Sequence, residues 1–314
     1  MVAVDLFAGC GGLSLGLERG GVHVCAGFEL WKDACSVYAA NFDHALHQVD
    51  LSEVDKAAAL IKGYRPELIA GGPPCQDFSS AGHRKDKGTR ADLTLDFCSI
   101  VCEVRPEWFL MENVTRIQST AIFKEVKARF SRAGYGLTEV ILDASLCGVP
   151  QKRKRVFLIG RLGEKEDFLM PLLQEKMSDR EMTVRDYFGD ALGTDFYYRH
   201  ARSYARRGIY SVDEPSATVR GVNRPVPPGY RIHSNDATDD LARVRPLTPR
   251  ERAQVQTFPA SYKWPVASRT NLEQLIGNAV PVELARFVAV AIKEYADEHS
   301  SAFTARQEEI EVSG

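Results

Sequence analysis

A short apolar run that stops abruptly constrains the fold of this chain more than any other feature. Residues 67–70 predict a buried strand, and the run Gly71-Gly72-Pro73-Pro74 ends it. Because proline fixes φ and carries no amide donor, the two prolines predict a rigid, extended exit from the strand. Cys75 follows at once, at the edge where open α/β sheets bind their ligands. The stretch therefore predicts an α/β fold that presents a thiol on a stiff turn.

Cys75 has two interpretations. A free cysteine is most often a small core side chain, and isolated cysteine motifs transfer poorly between protein families. A buried structural cysteine, however, requires neither the two prolines before it nor the run Gln76-Asp77-Phe78-Ser79-Ser80 after it. We therefore interpret Cys75 as a candidate nucleophile.

Length and composition are those of a soluble globular protein. The 314 residues, of which 44% are hydrophobic and 26% charged, suffice for one large domain and a smaller one. No apolar run approaches the length that spans a bilayer, and the N-terminal residues resemble a first strand rather than a signal peptide. The seven cysteines lack a disulfide-framework spacing, which predicts reduced thiols in the cytoplasm.

Charge and cysteine spacing exclude two further classes of protein. The net charge of −2 argues against bulk binding of polyanions, although it permits a local basic face. Cys98 and Cys102 lie one helical turn apart, but no matching His or Cys pair follows them. We therefore expect these two cysteines to pack in the core rather than to bind a metal.

A strand, a glycine turn and a helix follow one another at the start of the chain. Residues 2–7 predict the strand, Gly9-Cys10-Gly11-Gly12 the turn, and the leucines after it the helix. This order opens a nucleotide-binding type of α/β unit, in which glycines let the backbone approach a ligand. The turn lacks the G-x-G-x-x-G pattern, so a tight turn without a ligand is about equally compatible with it. Residues 22–28 predict the second strand, whose end at Glu29 suits the hydroxyls of a ribose.

Two further strand ends carry carboxylates. Asp50 and Leu51 follow a short strand-like piece, where a plain surface carboxylate is the alternative. Residues 108–111 predict a buried strand that ends at Glu112. Burial would raise the pKa of this carboxyl, so that it could act as an acid beside the nucleophile, although an isolated glutamate more often faces solvent.

Basic residues occur in two stretches. Residues 83–90 predict a polar loop over the site, or simply a solvated loop. In a strand that starts near residue 151, alternate residues share a face, so Gln151, Arg153 and Arg155 point the same way. Arginines aimed at a site clamp a phosphate or a carboxylate, and a basic edge strand is the alternative.

From about residue 163 to 245 the alternation of strands and helices breaks. Arginines and tyrosines are interleaved here, at positions Arg199, Arg202, Arg206, Arg207, Arg220, Arg224, Arg231, Tyr197, Tyr198, Tyr204 and Tyr210. Such side chains fit a nucleic-acid backbone and exposed bases, and an acidic protein is the less favoured partner. Thr248 and Pro249 then predict the start of a helix, and residues 274–292 predict one last helix before an acidic, disordered tail.

In this order the motifs resemble those of the DNA (cytosine-5)-methyltransferases, and the resemblance covers nearly the whole chain. It is carried by residues 5–12, 73–76, 112–114, 151–155, 245–251 and 277–280. Each motif alone is modest, whereas all of them in this order are highly specific.

The resemblance implies a fold and a cofactor. The expected fold is α/β, a Rossmann-like S-adenosylmethionine-dependent domain with a mostly parallel sheet and helices on both faces, joined to a small irregular target-recognition domain. We place the catalytic domain at residues 1–177, the recognition domain at 178–270, and a returning helix with the tail at 271–314. S-adenosylmethionine is the implied methyl donor, S-adenosylhomocysteine its product, and no metal is implied. The implied cofactor contacts are Phe7, Gly9, Gly11, Gly12, Glu29, Leu30, Asp50, Leu51, Pro74 and Asn278.

The resemblance also implies the chemistry and the partners. Cys75 would attack C6 of a cytosine flipped out of the duplex, and Glu112 would bond the base at N3 and at its exocyclic amine. Arg153 and Arg155 would hold O2 of the base and a nearby phosphate. The implied DNA contacts are Ser79, Arg84, Gln151, Thr218 and Arg220. Double-stranded DNA is the implied partner. The resemblance also implies that the protein is a monomer and does not bind a membrane. It allows a cognate restriction endonuclease that acts separately.

Three alternatives stay open. The transfer-RNA branch of the family carries Thr after the aromatic residue of its Cys motif, where this chain has Phe78-Ser79-Ser80, which favours DNA. A catalytically inactive DNA-binding regulator is disfavoured by the intact candidate catalytic residues. A nicotinamide oxidoreductase fits neither the glycine turn nor the Cys75 loop. Within the family pattern, Leu30 replaces an aromatic residue that many relatives carry, although Trp31 is adjacent.

Overall fold

The computed structural model describes residues 1–74, 93–201 and 206–299. In chain order the strands are β1 (Val2–Leu6), β2 (His23–Glu29), β3 (Ala45–Gln48), β4 (Leu68–Gly71), β5 (Trp108–Val114), β6 (Tyr135–Asp143), β7 (Gln151–Lys152), β8 (Lys154–Leu162), β9 (Phe196–Tyr198), β10 (Ile209–Ser211), β11 (Ser216–Ala217) and β12 (Val244–Pro246). The α-helices are α1 (Gly12–Arg19), α2 (Lys32–Ala39), α3 (Val54–Lys62), α4 (Leu93–Val104), α5 (Ala121–Arg132), α6 (Met170–Lys176), α7 (Val184–Phe188), α8 (Pro249–Val255), α9 (Arg269–Asn278) and α10 (Val282–Glu298).

Seven strands form one sheet in the order β3-β2-β1-β4-β5-β8-β6. Neighbouring strands run parallel except at β8, which is antiparallel to both β5 and β6. The chain builds β1, β2 and β3 towards one edge and then returns to place β4 on the other side of β1. This reversal is the topological switch point at which open α/β sheets bind ligands. The predicted α/β fold with a mostly parallel sheet is confirmed.

Helices cover both faces of the sheet, because its central strands are apolar on both sides. On one face Trp108, Leu110 and Phe157 pack with α1, α6 and α10. On the other face Ile69, Phe109 and Met111 pack with α3, α4 and α5. Alternate residues of β5 thus enter opposite cores, and the strand end carrying Glu112 is held between two packed layers.

The predicted last helix at residues 274–292 is wrong in one respect, because two helices occupy this stretch. α9 ends at Asn278 and α10 begins at Val282, with Pro281 as its N-cap. Proline lacks an amide donor and disfavours helical backbone at the residue before it, so the chain turns at residues 279–281. The span Arg269–Glu298 is long and apolar enough to cross a membrane, yet 67% of its apolar window is buried in the protein, as in a core helix.

The region predicted as a recognition domain contains short elements rather than a large core of its own. It holds the three-stranded sheet β10-β9-β12, and β11 pairs with β7, so that Ser216 lies opposite Gln151. One apolar cluster joins Tyr38 of α2 to Tyr197 and Phe258 of this region. The small region therefore packs against the region that contains the seven-stranded sheet.

Candidate active site

A cleft of about 720 Å³ opens at the switch point of the sheet. Its walls come from the segments that follow β1, β2, β4 and β5 and from the break between α9 and α10. The volume lies within the roughly 300–1,000 Å³ typical of small-molecule sites. Six of the predicted cofactor residues line it, namely Phe7, Gly9, Gly12, Glu29, Pro74 and Asn278.

The glycine turn after β1 brings main chain, rather than side chains, to the cleft. Phe7, Gly9 and Gly11 have φ angles of 56°, 56° and 86°, all in the left-handed region. For Phe7 this conformation costs on the order of 1–3 kcal/mol, a strain that concentrates at functional sites. No side-chain hydrogen bond from the described residues caps the N-terminus of α1. Gly11 itself shapes the turn but is not part of the cleft wall.

Glu29 ties the glycine turn to the end of β2. Its carboxylate accepts hydrogen bonds from the amides of Gly9 (2.8 Å), Leu30 (2.8 Å) and Trp31 (2.7 Å). A carboxylate offers about four acceptor positions, so one is left for a ligand hydroxyl. Glu29 therefore shapes the cleft and can also accept a hydrogen bond from a ligand that lies in it.

Besides Gly11, three predicted cofactor residues lie off the cleft wall. The side chain of Leu30 is 56% exposed, and Trp31 takes the wall position instead. Asp50 accepts hydrogen bonds from the amide and hydroxyl of Ser52, which lower its pKa. Leu51 is buried. Both follow β3, the edge strand two places from β1, which explains why neither reaches this cleft.

A buried polar chain supports the glycine turn from below. The Ser14 hydroxyl lies 2.6 Å from Oδ2 of Asp5 and 2.7 Å from Oη of Tyr38, which in turn lies 2.7 Å from Nε2 of His44. Asp5 is fully buried, and burial raises its pKa to about 7, an effect that the hydrogen bond from Ser14 partly offsets. The protonated form of Asp5 is therefore favoured by folding.

We expect the Asp5→Asn variant to lose part of the pH dependence of stability. An unfolded aspartate titrates near pH 3.9, so the stability that protonated Asp5 contributes is complete below about pH 4 and is lost as pH rises through about 7. Asparagine does not titrate, so the fall in the free energy of unfolding between about pH 5 and about pH 7.5 becomes smaller. Urea denaturation at the two pH values measures it, with the exposed Asp43→Asn as the control. Equal falls in wild type and Asp5→Asn would contradict the account.

The turn after β4 is fixed against the end of β5. The side-chain amide of Asn113 donates to the carbonyl of Pro73 at 2.9 Å, within the buried interior. A Cβ placed on Gly72 would come within 3.3 Å of Oε2 of Glu112, so glycine allows the two strand ends to approach closely. The predicted nucleophile Cys75 and the predicted DNA contacts Ser79 and Arg84 lie outside the described residues.

Glu112 and Arg155 form an ion pair in the cleft. Nε of Arg155 lies 2.9 Å from Oε1 of Glu112, and both side chains are largely buried. The pair follows from the register of β5 and β8, in which Val114 lies opposite Arg155 and Glu112 is its diagonal neighbour. Burial raises the pKa of Glu112, while Arg155 and then Arg153 oppose the rise. The carboxyl can therefore accept or share a proton close to the end of the Pro73-Pro74 turn.

The two arginines expected to share a role differ in their surroundings. Arg153 is 2% exposed and donates to the carbonyls of Val219 (3.0 Å), Gly277 (3.1 Å) and Ala279 (3.0 Å). Burial, followed by the charge of Arg155, lowers the pKa of Arg153 to about 9, which leaves it charged at neutral pH. The role of the two arginines in holding the base stays a prediction: Arg153 binds three carbonyls and Arg155 faces Glu112, while both also line the cleft.

The predicted DNA contacts near β7 form hydrogen bonds with other parts of the protein. Gln151 is fully buried, accepts from the amide of Val219 at 2.8 Å and donates to the side chain of Gln256 at 2.8 Å, and its contact with DNA stays a prediction. The Thr218 hydroxyl donates to the carbonyl of Lys152 at 2.7 Å. Arg220 is half-buried and donates to the carbonyl of His200. Buried and exposed side chains alternate along residues 151–155, as predicted. Segments that are distant in the sequence cover the buried side chains.

Arg116 is a candidate that the sequence did not suggest. It follows β5, lines the cleft with Glu112 and Arg155, and is exposed. Its guanidinium has no hydrogen-bond or ion-pair partner in the part of the chain that the structure describes. The only sequence signal was its position four residues after the candidate acid. Within the same residues, no group of three or more His, Cys, Asp or Glu side chains is placed to hold a metal ion.

Comparisons with known proteins agree on one family. The family model C-5 cytosine-specific DNA methylase matches residues 1–294. The type II methyltransferase M.HindV of Haemophilus influenzae is 55% identical over 299 residues, which is 95% of this chain and 98% of that protein. The type II methyltransferase M.HgiDI of Herpetosiphon aurantiacus is 51% identical over 94% of this chain and 95% of its own.

Solved structures share the fold at low sequence identity. The Dnmt2 methyltransferase of S. pombe superposes with a TM-score of 0.71 at 19% identity, covering 94% of this chain and 99% of that one. The DNMT2 mutant of Spodoptera frugiperda gives a TM-score of 0.67 at 17% identity, over 93% and 99% of the two chains. Both comparisons support the α/β architecture.

Proposed function

The chain belongs to the C-5 cytosine-specific DNA methylases of the restriction-modification type, and from this premise we propose that it transfers a methyl group from S-adenosylmethionine to C5 of a cytosine flipped out of double-stranded DNA. The observation that carries the proposal is the buried Glu112–Arg155 pair in the cleft, beside the end of the rigid turn that leads into Cys75. A carboxyl, a guanidinium and a thiol are the groups needed to activate a pyrimidine ring.

The cleft suits S-adenosylmethionine in size and in chemistry. Phe7, Trp31 and Pro74 supply apolar walls, Glu29 keeps an acceptor position for a ribose hydroxyl, and the left-handed Gly9 exposes main chain. Asn278 at the end of α9 completes the wall. When bound, the cofactor supplies an electrophilic methyl group on a sulfonium, which a nucleophilic C5 takes.

The side chains of this chain make C5 nucleophilic. C5 of cytosine reacts poorly by itself, and we propose that the Cys75 thiolate bonds to C6 so that the electron pair of the C5–C6 double bond moves towards C5. Glu112 holds a proton at N3 and accepts from the exocyclic amine, which stabilises the charge that develops on the ring. We propose that Arg155 orients Glu112 and bonds O2 of the base. After methylation a base removes the C5 proton, the C5–C6 double bond re-forms and the bond to Cys75 breaks.

We propose residues 178–270 as the part that recognises the target sequence, with Thr218 and Arg220 at its edge towards the cleft. One cytosine is modified at a time, so a monomer suffices for the reaction. A cognate restriction endonuclease would act as a separate protein, and we propose that the enzyme works in the cytoplasm.

We expect Arg116 to bind a phosphate next to the flipped nucleotide. Its exposed cation on the cleft rim has no partner among the described residues, and one phosphate contact contributes about 0.9 to the slope of log K against log salt concentration. Arg116→Ala should therefore weaken DNA binding and reduce that slope by about 1. Fluorescence anisotropy over a salt series measures it. Lys124→Ala removes an exposed charge away from the cleft and should leave the slope unchanged; equal slopes in all three proteins would refute the assignment.

Methyl transfer to DNA and to transfer RNA, measured side by side, tests the proposed function. The purified protein is incubated with S-adenosylmethionine carrying a labelled methyl group and either plasmid DNA or transfer RNA, and the nucleosides are then identified by mass spectrometry. We expect label in 5-methyldeoxycytidine alone. Label in the RNA would favour the transfer-RNA branch, and no label in either would favour an inactive DNA-binding protein.

A further inference from the structure

Arg153 connects three segments that are far apart in the sequence. It precedes β8, and its guanidinium donates to Val219 beside β11 and to Gly277 and Ala279 at the break between α9 and α10. We infer that Arg153 is a positioning residue that couples the binding of target DNA to the binding of the cofactor. The inference rests on the proposed function, because Thr218 belongs to the proposed recognition region and Asn278 to the proposed cofactor wall.

The two coupled segments are each one residue from a proposed ligand contact. Val219 follows Thr218, and Asn278 lies between the two carbonyls that Arg153 binds on the other side. A shift of Val219 on DNA binding would therefore change the position of residues 277–279 through one rigid guanidinium. Only arginine suits this place, because its planar fork presents several donors in fixed directions, whereas lysine presents one ammonium.

The buried side-chain amides of Gln151 and Gln256 form a second connection between the same two segments. Gln151 accepts from the amide of Val219 and donates to Gln256. Gln256 in turn donates to the carbonyls of Ile276 (2.6 Å) and Ala279 (3.2 Å). Gln151 and Gln256 are both fully buried, so water does not compete for these bonds. The connection between the two segments is thus made twice, by independent side chains.

Close backbone packing leaves little slack between the segments. A Cβ on Gly277 would collide with the backbone of Arg220 and Gly221. Arg252 also donates to the carbonyl of Arg220, and Asn223 donates to Glu273 of α9 at 3.0 Å. Because packed backbone moves as a unit, displacement of residues 219–221 is transmitted to the end of α9 rather than absorbed.

Coupling of this kind is measurable and reciprocal, because linkage requires each ligand to change the affinity for the other by the same factor. The experiment measures the Kd of S-adenosylhomocysteine by calorimetry, with and without a duplex containing the site that the wild type methylates, and the Kd of the duplex with and without S-adenosylhomocysteine. For the wild type we expect both ratios to lie within the roughly 5- to 150-fold range typical of coupled sites. For Arg153→Lys we expect both ratios to fall towards 1.

Arg161→Lys is the matched control. Arg161 is also a buried arginine, but it pairs with Glu107 (3.0 Å) and lies over the ring of Trp108, outside the cleft. This variant should lose stability and keep the wild-type ratio. Gln256→Met, which breaks only the second connection, should reduce the ratio partly and serves if Arg153→Lys does not fold.

The outcomes separate the inference from the proposed function. An unchanged ratio in Arg153→Lys, or in Gln256→Met if it alone folds, overturns the inference, and so does an equal reduction in Arg161→Lys. A wild-type ratio of 1 with normal methyl transfer also overturns it while leaving the proposed function intact. A wild type that neither binds S-adenosylhomocysteine nor methylates DNA overturns both.

Discussion

We expect the Cys75→Ser variant to lose methyl transfer, by on the order of 10⁴-fold or more, and still to bind duplex DNA. In the proposed mechanism a thiolate attacks C6, and a serine hydroxyl ionises far too little near neutral pH to replace it. Phosphate and base contacts come from other side chains, so the affinity for DNA should change little. Initial rates with labelled S-adenosylmethionine measure the first quantity, and anisotropy of a labelled duplex measures the second.

Cys25→Ser is the matched control for this substitution. Cys25 is a half-buried thiol in β2 that donates to the carbonyl of Ala3 at 3.3 Å, and burial raises its pKa. Its replacement removes a thiol outside the cleft, so the rate should stay near that of the wild type. Retained methyl transfer in Cys75→Ser would refute the covalent mechanism.

The Glu112→Gln variant has the second largest expected effect, a fall in kcat of about 10²- to 10⁴-fold. Glutamine keeps the size of the side chain and can still accept from Arg155, but it cannot carry a proton to N3 of the base. Burial raises the pKa of Glu112, so this carboxyl holds a proton more readily than a surface glutamate does. Because the lost interaction is made mainly as charge develops on the ring, KM should change much less than kcat.

Glu139→Gln is the control for Glu112→Gln. Glu139 lies in β6 of the same sheet and is ion-paired with Lys127 at 2.6 Å, but it lies outside the cleft. Its replacement should leave kcat unchanged. A kcat of Glu112→Gln within a few-fold of the wild type would mean that another group stabilises the charge on the base.

The strand ends could be predicted because they depend on local sequence. Apolar runs that stop at Gly, Pro or an acidic residue mark the ends of parallel strands, and parallel strands bring those ends to one edge. Glu29, Pro74 and Glu112 were predicted in this way, and all three line the cleft. Thr248 was likewise predicted as an N-cap, and the structure has the complete capping box with Glu251.

The sequence could not predict which segments pack over a given side chain, because these segments come from distant parts of the chain. Alternation along a strand places Gln151, Arg153 and Arg155 on one face but says nothing about what packs there. The segments around residues 219, 256 and 278 bury the first two and leave Arg155 facing the cleft. Arg116 could not be predicted either. A single basic residue becomes a candidate for a functional site only when the structure shows that it lies beside a cleft.

The break at Pro281 was within reach of the sequence. The spacing of apolar residues continues from α9 into α10, and this spacing favoured a single helix. However, a proline inside a helical pattern ends or kinks the helix. The break leaves the carbonyls of Gly277 and Ala279 free to accept from Arg153 and places Asn278 on the cleft wall.

Bisulfite sequencing of plasmid DNA incubated with the protein and S-adenosylmethionine tests the central claim most directly. Methylation at C5 protects cytosine from conversion, so the pattern reports the modified base and its sequence context together. The account predicts protected cytosines in one short sequence context with the wild type and none with Cys75→Ser. Complete conversion of every cytosine with the active wild type, or equal protection by Cys75→Ser, would contradict it.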